Sequence, residues 1–144
     1  MFWDSSAIVP LLIAEARSEE MTSVLRAAGP PAVWWATAVE CRSALQRRNR
    51  EAPFPSGVLD SALRRLELLL EGCDTVPPTD ELRRRAGLLL AVHPLRAGDA
   101  LQLAAALVFA EGESGVEFVC LDDRLRKAAF NEGFRILPEN GKED

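Results

Sequence analysis

The sequence predicts an α/β sandwich in which helices flank a parallel β-sheet. Short apolar segments alternate with helical segments along the chain. Two of the apolar segments, "FW" and "VEFVCL", run directly into an aspartate that precedes a helix. The segment from Ala100 to Val108 is apolar on every side except at Gln102, a pattern typical of a helix buried in the middle of a domain.

The elements are short and follow one another closely. Strands are predicted at residues 2–3, 32–36, 75–76, 116–121 and 134–137. Helices are predicted from Ser5 or Ser6 to about Ala16, over residues 19–28, from Thr37, over the leucine stripe at 59–70, over 79–92, from Ala100, and from Asp122. The leucine stripe is expected in the core, with a groove for a partner helix as the alternative.

Length and composition fit one folded domain. The 144 residues are 48% hydrophobic and 27% charged, which is ordinary for a globular protein with a core of its own. We expect a single domain over residues 1–137 and a frayed tail over 138–144. Neither a membrane-spanning segment nor a secretory signal is expected. The three cysteines have apolar neighbours and indicate core positions in a reducing cytoplasm.

The net charge of −5 argues against nucleic-acid binding, which usually leaves a basic footprint. The arginines, however, occur in clusters, one of which contains Arg42, Arg47, Arg48 and Arg50. Arginine binds phosphate through a bidentate fork. These clusters are therefore interpreted either as solvated helix faces or as phosphate contacts, and net charge alone does not decide between them.

Acidic residues from distant parts of the chain are predicted to meet at one edge of the sheet. Asp4 and Asp122 follow strands, and ligands of parallel sheets bind beyond the carboxyl ends of the strands. Glu40 lies at the start of the helix after the tryptophan-rich strand, and Asp99 precedes the buried helix. Asp123 is a further acid next to Asp122. We therefore expect four carboxylates in one pocket.

Each acid also has a structural explanation. Asp4, Asp99 and Asp122 stand where side chains cap helices. Thr37 and Glu40 have the T-x-x-E spacing of a capping box, which would occupy the Glu40 carboxylate in the helix start.

Carboxylates gathered in one pocket need compensation for their charge. Two of them 4 Å apart repel by about 4 kcal/mol at an effective dielectric constant near 20. Protonation of some acids or a bound cation relieves this repulsion. An all-oxygen ligand set favours Mg²⁺ or Mn²⁺ over zinc, and these ions suit phosphodiester hydrolysis. His93 is the only histidine, which argues against a histidine-based catalytic triad and against a histidine-rich metal site.

Four blocks of this sequence resemble, in order and spacing, the signature segments of PIN-domain nucleases, and in particular VapC-like toxins of bacterial toxin–antitoxin pairs. These blocks are "FWDSSAIVPLL", "ATAVECRSAL", "HPLRAGDALQLAAAL" and "FVCLDDRLRKAA". The resemblance implies a Rossmann-like three-layer α/β/α sandwich with a central parallel sheet. It also implies a Mg²⁺- or Mn²⁺-dependent endoribonuclease, a cognate protein antitoxin and, as in many members, a homodimer.

The resemblance assigns roles to individual residues. Asp4, Glu40, Asp99 and Asp122 fall on the acidic quartet that coordinates metal and activates water. Ser6 falls on the hydroxyl position that supports the first acid. Arg96 matches a basic position, where an ion pair with a carboxylate and a contact to the scissile phosphate are both open. Cys120 replaces the usual Thr or Ser two residues before the last acid, which puts the role of that hydroxyl in doubt.

Two other functions are compatible with the same residues. The chain could be a housekeeping PIN nuclease of RNA processing, or a non-catalytic binding module whose acids only cap helices. If it binds RNA, neutralising Arg47 and Arg48 is expected to weaken binding and to reduce its salt dependence. In a strand, Trp34 and Trp35 point to opposite faces, so one of the two rings is a candidate for a partner surface.

Overall fold

The computed structural model describes residues 1–140, so part of the expected tail, residues 141–144, lies outside the described chain. The strands are β1 (Phe2–Trp3), β2 (Ala32–Trp34), β3 (Asp74–Val76), β4 (Glu117–Val119) and β5 (Arg135–Leu137). The helices are α1 (Ser5–Leu12), α2 (Ser18–Ala28), α3 (Thr37–Glu51), α4 (Val58–Glu71), α5 (Asp80–Val92), α6 (Ala97–Ala110) and α7 (Asp123–Asn131).

The five strands form one parallel sheet in the order β3-β2-β1-β4-β5. β1 is the central strand, with Phe2 paired to Ala32 of β2 on one side and to Phe118 of β4 on the other. Because all strands run in the same direction, their carboxyl ends lie at one edge. The expected central parallel sheet is confirmed, and this edge carries the residues that follow β1, β2 and β4.

Alternation along the strands divides the core into two halves. Phe2, Trp34 and Phe118 pack against α5, α6 and α7 on one face. Trp3, Val33 and Val119 pack against α1, α2, α3 and α4 on the other. Successive strand residues point to opposite faces of a sheet, so each face buries its own apolar row. The molecule is therefore the expected three-layer α/β/α sandwich.

Two helix boundaries differ from the sequence-based expectation. α1 ends at Leu12 instead of Ala16, because the Ser18 hydroxyl donates to the Ile13 carbonyl and accepts from the Glu15 amide, which closes a turn there. The cap of α1 is Asp4, not Ser5 or Ser6. α6 begins at Ala97, so Asp99 is its third residue. The observed starts of the two helices place Asp4 at the N-cap of α1 and Asp99 in the first turn of α6, at the same edge of the sheet.

The adjacent tryptophans at the end of β2 and the leucines of α4 differ in how deeply they are buried. Trp34 is 5% exposed and Trp35 59% exposed, so one of the two rings is exposed as expected. The reason differs from the expectation, because β2 ends at Trp34 instead of residue 36 and Trp35 lies in the turn that follows. In the leucine stripe of α4, Leu66 is fully buried and Leu59, Leu63 and Leu70 pack partly against the core, as expected. Within residues 1–140, no helix combines the length and apolar character needed to cross a membrane.

Candidate functional site

A cleft of about 790 Å³ lies at the carboxyl edge of the sheet. Asp4, Glu40, Asp99 and Asp122 all line it, together with Ser6. These acids come from four separate segments of the chain, after β1, in α3, in α6 and after β4. The structure therefore brings the four predicted carboxylates to one cleft. Two of them also cap helices, and two do not.

Asp4 has a structural role in α1. Its side chain is buried, and its Oδ2 accepts a hydrogen bond of 3.1 Å from the Ser6 amide, which caps the helix. The Cys120 thiol also donates to this oxygen at 3.7 Å. Burial raises the pKa of Asp4, although these hydrogen bonds oppose the rise. Asp4 thus caps α1 and at the same time presents a poorly solvated carboxyl group to the cleft.

Asp122 also caps a helix. Its Oδ1 accepts a hydrogen bond of 3.0 Å from the Leu125 amide at the start of α7. In contrast to Asp4, this side chain is exposed. The capping interpretation is confirmed for both of these aspartates, which by itself does not exclude a second role in the cleft they line.

Glu40 does not form the capping box that its spacing suggests. The N-cap residue of α3 is Ala36, and no side chain caps this helix. Glu40 instead accepts hydrogen bonds from Gln102 of α6 at 3.1 Å and from Ser5 at 3.5 Å. Burial, followed by the negative charge of Asp4, raises the pKa of Glu40 to about 7. Its carboxylate is therefore held at the cleft by a tertiary contact instead of a helix end.

Asp99 lies in the first turn of α6 without capping it. Arg96 is the N-cap residue, and α6 has no side-chain cap hydrogen bond. Burial and the charges of Asp122 and Asp4 raise the pKa of Asp99, and the positive charges of Arg96 and Arg124 act against this rise. The helix N-terminus favours a carboxylate in general, but here burial and the neighbouring acids together outweigh that benefit.

The four carboxylates repel one another in the absence of a cation, since each raised pKa at Glu40 and Asp99 has a neighbouring acid among its causes. Among residues 1–140, no group of three His, Cys, Asp or Glu side chains is arranged to hold a metal ion by itself. Mg²⁺ commonly uses only one or two carboxylates and keeps several waters. In donor chemistry and charge, the cleft fits a hard divalent cation that retains part of its hydration shell.

Gln102 is a site residue to which sequence reasoning assigned no role. It is fully buried, and its Nε2 donates both to Glu40 and to the Thr37 hydroxyl, the latter at 3.2 Å. Its Oε1 is buried without a hydrogen-bond partner in the described chain. Gln102 is the one polar residue between Ala100 and Val108, and this pattern could have marked it as a residue with a specific role. The pattern does not indicate which residue it would contact.

Replacing Gln102 with leucine is expected to lower the free energy of unfolding by about 1–3 kcal/mol, because the buried Thr37 hydroxyl and the Glu40 carboxylate lose their donor. Urea denaturation measures this change. The double variant Gln102→Leu/Thr37→Val should recover part of the loss, since both polar partners of the buried pair are then removed. A double variant as unstable as the sum of the two single variants would contradict this account.

The remaining predicted residues lie around the acids. The Ser6 hydroxyl accepts from the Leu121 amide at 2.9 Å and so links α1 to the segment after β4. Asp123 is exposed at the start of α7 and does not line the cleft. Arg96 is exposed, and no ion pair forms with it among the described residues. Burial raises the pKa of the Cys120 thiol, which makes it a poor nucleophile.

The chain is also similar in sequence to known proteins. The chain is 30% identical over 138 residues to Ribonuclease VapC45 of Mycobacterium tuberculosis (strain CDC 1551 / Oshkosh), and the alignment covers 96% of this chain and 94% of the relative. The same identity and coverage hold for Ribonuclease VapC49 of Mycobacterium tuberculosis (strain ATCC 25618 / H37Rv). The PIN domain profile matches residues 1–131 and so spans all four carboxylates. With this match and this fold, the chain belongs to the PIN-domain family.

Proposed function

We propose that this protein is an endoribonuclease that hydrolyses RNA phosphodiester bonds with Mg²⁺ or Mn²⁺ held by Asp4, Glu40, Asp99 and Asp122. The observation that carries the proposal is the placement of Glu40 and Asp99. Neither caps a helix, yet both stand in a cleft with two other acids, where burial and neighbouring negative charges raise their pKa values. Membership of the PIN family and two relatives named ribonucleases support the choice of RNA as substrate.

The residues in and around the cleft have two proposed roles: some would hold the cation, and others orient the carboxylates. A divalent cation bound there would supply the hydrolytic water and neutralise charge on the phosphate oxygens. The four carboxylates provide the oxygen donors, and Gln102 and Ser5 fix the orientation of Glu40. Ser6 holds the Asp4 turn against the end of β4. Arg96 does not line the cleft, but its positive charge acts on Asp99 and it forms no ion pair among the described residues, so we assign it to the scissile phosphate.

The same proposal includes a protein partner. Both relatives are named Ribonuclease VapC, and the signature blocks of this chain resemble those of VapC-like toxins. On that basis we assign this chain the role of a toxin neutralised by a cognate antitoxin. A homodimer is also proposed. Exposed apolar side chains such as Trp35, Leu88, Val92 and Phe130 provide surface for such contacts, since aromatic groups are enriched in interface cores.

Cleavage of a labelled, mixed-sequence RNA pool tests the enzymatic part of the proposal. Purified protein is expected to cut RNA in Mg²⁺ or Mn²⁺ and to stop in EDTA. Isothermal titration with Mn²⁺ adds a readout that does not depend on the RNA substrate. Binding of Mn²⁺ weaker than millimolar together with intact RNA in every metal would favour a non-catalytic module, whose acids serve only the fold.

A further inference from the structure

The cleft extends beyond the carboxylates along one face of α3. The residues of α3 that line it beyond Val39 are Glu40, Ser43, Ala44, Arg47 and Arg48. Their spacing of three and four residues places them on a single side of the helix. With a rise of 1.5 Å per residue, Arg47 lies roughly 10 Å along the helix axis from Glu40. The cleft therefore has an acidic end at the start of α3 and a basic end two turns later.

The arginines at the basic end are not equivalent. Arg48 forms an ion pair of 3.0 Å with Glu15, in the segment between α1 and α2. Arg17 is paired with Glu20 at 2.6 Å. Arg47 is exposed, and among the described residues no carboxylate lies within ion-pair distance of it. Of the three arginines that line the cleft, Arg47 alone keeps a positive charge without a protein partner.

We propose that the RNA strand runs from the carboxylates along this face of α3 and that Arg47 binds a second phosphate of the same strand, away from the scissile one. This inference rests on the proposed function. An RNA strand that lies on this face of α3 contacts the carboxylates at one end of the cleft and Arg47 at the other end. Ser43 lines the cleft between them. Arg48 has a different role, because its pair with Glu15 joins α3 to the α1–α2 segment.

The occupant favoured by this geometry is a polyanionic strand. The protein carries a net charge of −5, so a phosphate approaching the cleft is repelled by most of the surface, and an unpaired guanidinium supplies the local attraction. Guanidinium and phosphate form a bidentate, charge-assisted pair. An acidic segment of a protein partner is the competing occupant, and the experiment separates it from RNA.

The test measures binding of a short, labelled single-stranded RNA of mixed sequence by fluorescence anisotropy in Ca²⁺ at several salt concentrations. Arg47→Ala is expected to weaken binding by about 10-fold, the loss of one charge-assisted contact. It should also reduce the slope of log Kd against log salt by about 0.7, the contribution of one phosphate contact on a single strand. Arg65→Ala is the matched control, since Arg65 is exposed on α4, outside the cleft and without an ion pair in the described chain.

A second arm locates the contact on the RNA. Single uncharged methylphosphonates are placed in turn along a cleaved RNA, and one position away from the scissile bond should slow the wild type but not Arg47→Ala. An unchanged salt slope in Arg47→Ala, or equal effects of every methylphosphonate in both proteins, would overturn the inference. If Arg47→Ala lowers the slope but the wild type never cleaves RNA, the RNA contact stands and the proposed ribonuclease activity fails.

Discussion

Replacing Asp99 with asparagine is expected to reduce RNA cleavage by more than about 100-fold and to leave the fold intact. Removing a residue that merely orients a metal ligand already costs about 10–100-fold in metal affinity or activity, and Asp99 is proposed as a ligand itself. Asparagine has nearly the same shape, so packing around the first turn of α6 is preserved. Initial rates of RNA cleavage under saturating Mg²⁺, with circular dichroism of both proteins, measure the two effects.

The stability of the same variant distinguishes a functional from a structural Asp99. Because burial and the charges of Asp122 and Asp4 raise the pKa of Asp99, its ionised form destabilises the folded state at neutral pH. Without a cation, Asp99→Asn should therefore be as stable as the wild type or more stable. If Asp99 served chiefly to complement the helix N-terminus, the variant would instead lose about 0.5–1 kcal/mol, and its cleavage would persist.

Asp74→Asn is the matched control for this experiment. Asp74 begins β3, at the edge of the sheet opposite the cleft, and its side chain is exposed. The chemical change is identical, and we expect cleavage at the wild-type rate. Residual cleavage that is equal in the wild type, Asp99→Asn and an EDTA-treated sample would indicate a contaminating ribonuclease and contradict the proposed activity.

In the absence of a divalent cation, the protein is expected to lose stability as the pH rises from 5 to 8. The pKa of Glu40 is raised from 4.5 to about 7 by burial and by Asp4. Between these two values the folded protein holds a proton that the unfolded chain has released, so the free energy of unfolding falls with increasing pH. The raised pKa values of Asp4 and Asp99 act in the same direction.

The size of the Glu40 contribution follows from its pKa. A change from 4.5 to about 7 corresponds to about 3 kcal/mol for a fully desolvated group. Since Glu40 is only partly buried, solvent screening reduces this to about 1–2 kcal/mol. Glu40→Gln should gain that amount over the wild type at pH 8 in EDTA, where urea denaturation makes the comparison. Glu51→Gln, at the exposed end of the same helix, should leave the pH dependence unchanged.

Mg²⁺ should reverse this loss of stability. A ligand present at 100 times its dissociation constant stabilises the folded state by about 2.7 kcal/mol. The effect should be greater at pH 8 than at pH 5, because protons compete with the cation for the carboxylates. Equal stability at pH 5 and pH 8 in EDTA, or a Glu40→Gln variant with the pH dependence of the wild type, would show that the Glu40 carboxyl group is not the source of the instability.

Sequence alone determined the fold class and the edge at which the acids meet. A short apolar run is a local property, and two such runs predicted the strands that precede Asp4 and Asp122. A parallel sheet places the carboxyl ends of all its strands together, so two short patterns sufficed to bring distant acids to one edge. The end of α1 was not predictable, because hydrogen bonds of the Ser18 hydroxyl decide it. The start of α6 was not predictable either, since no side-chain cap marks it.

Only the tertiary structure decided how each charged residue is used. From the sequence, helix capping was a possible role for all four acids, and the T-x-x-E pattern favoured it for Glu40. In the folded protein Asp4 and Asp122 do cap helices, whereas Gln102 of α6 holds Glu40 across a separation of 62 residues. Arg47 and Arg48 are likewise indistinguishable in the sequence, and a contact from Glu15 separates them. These contacts depend on which helices pack against each other. The periodic pattern of apolar residues shows which face of a helix is buried, but not which residues of a distant helix it contacts.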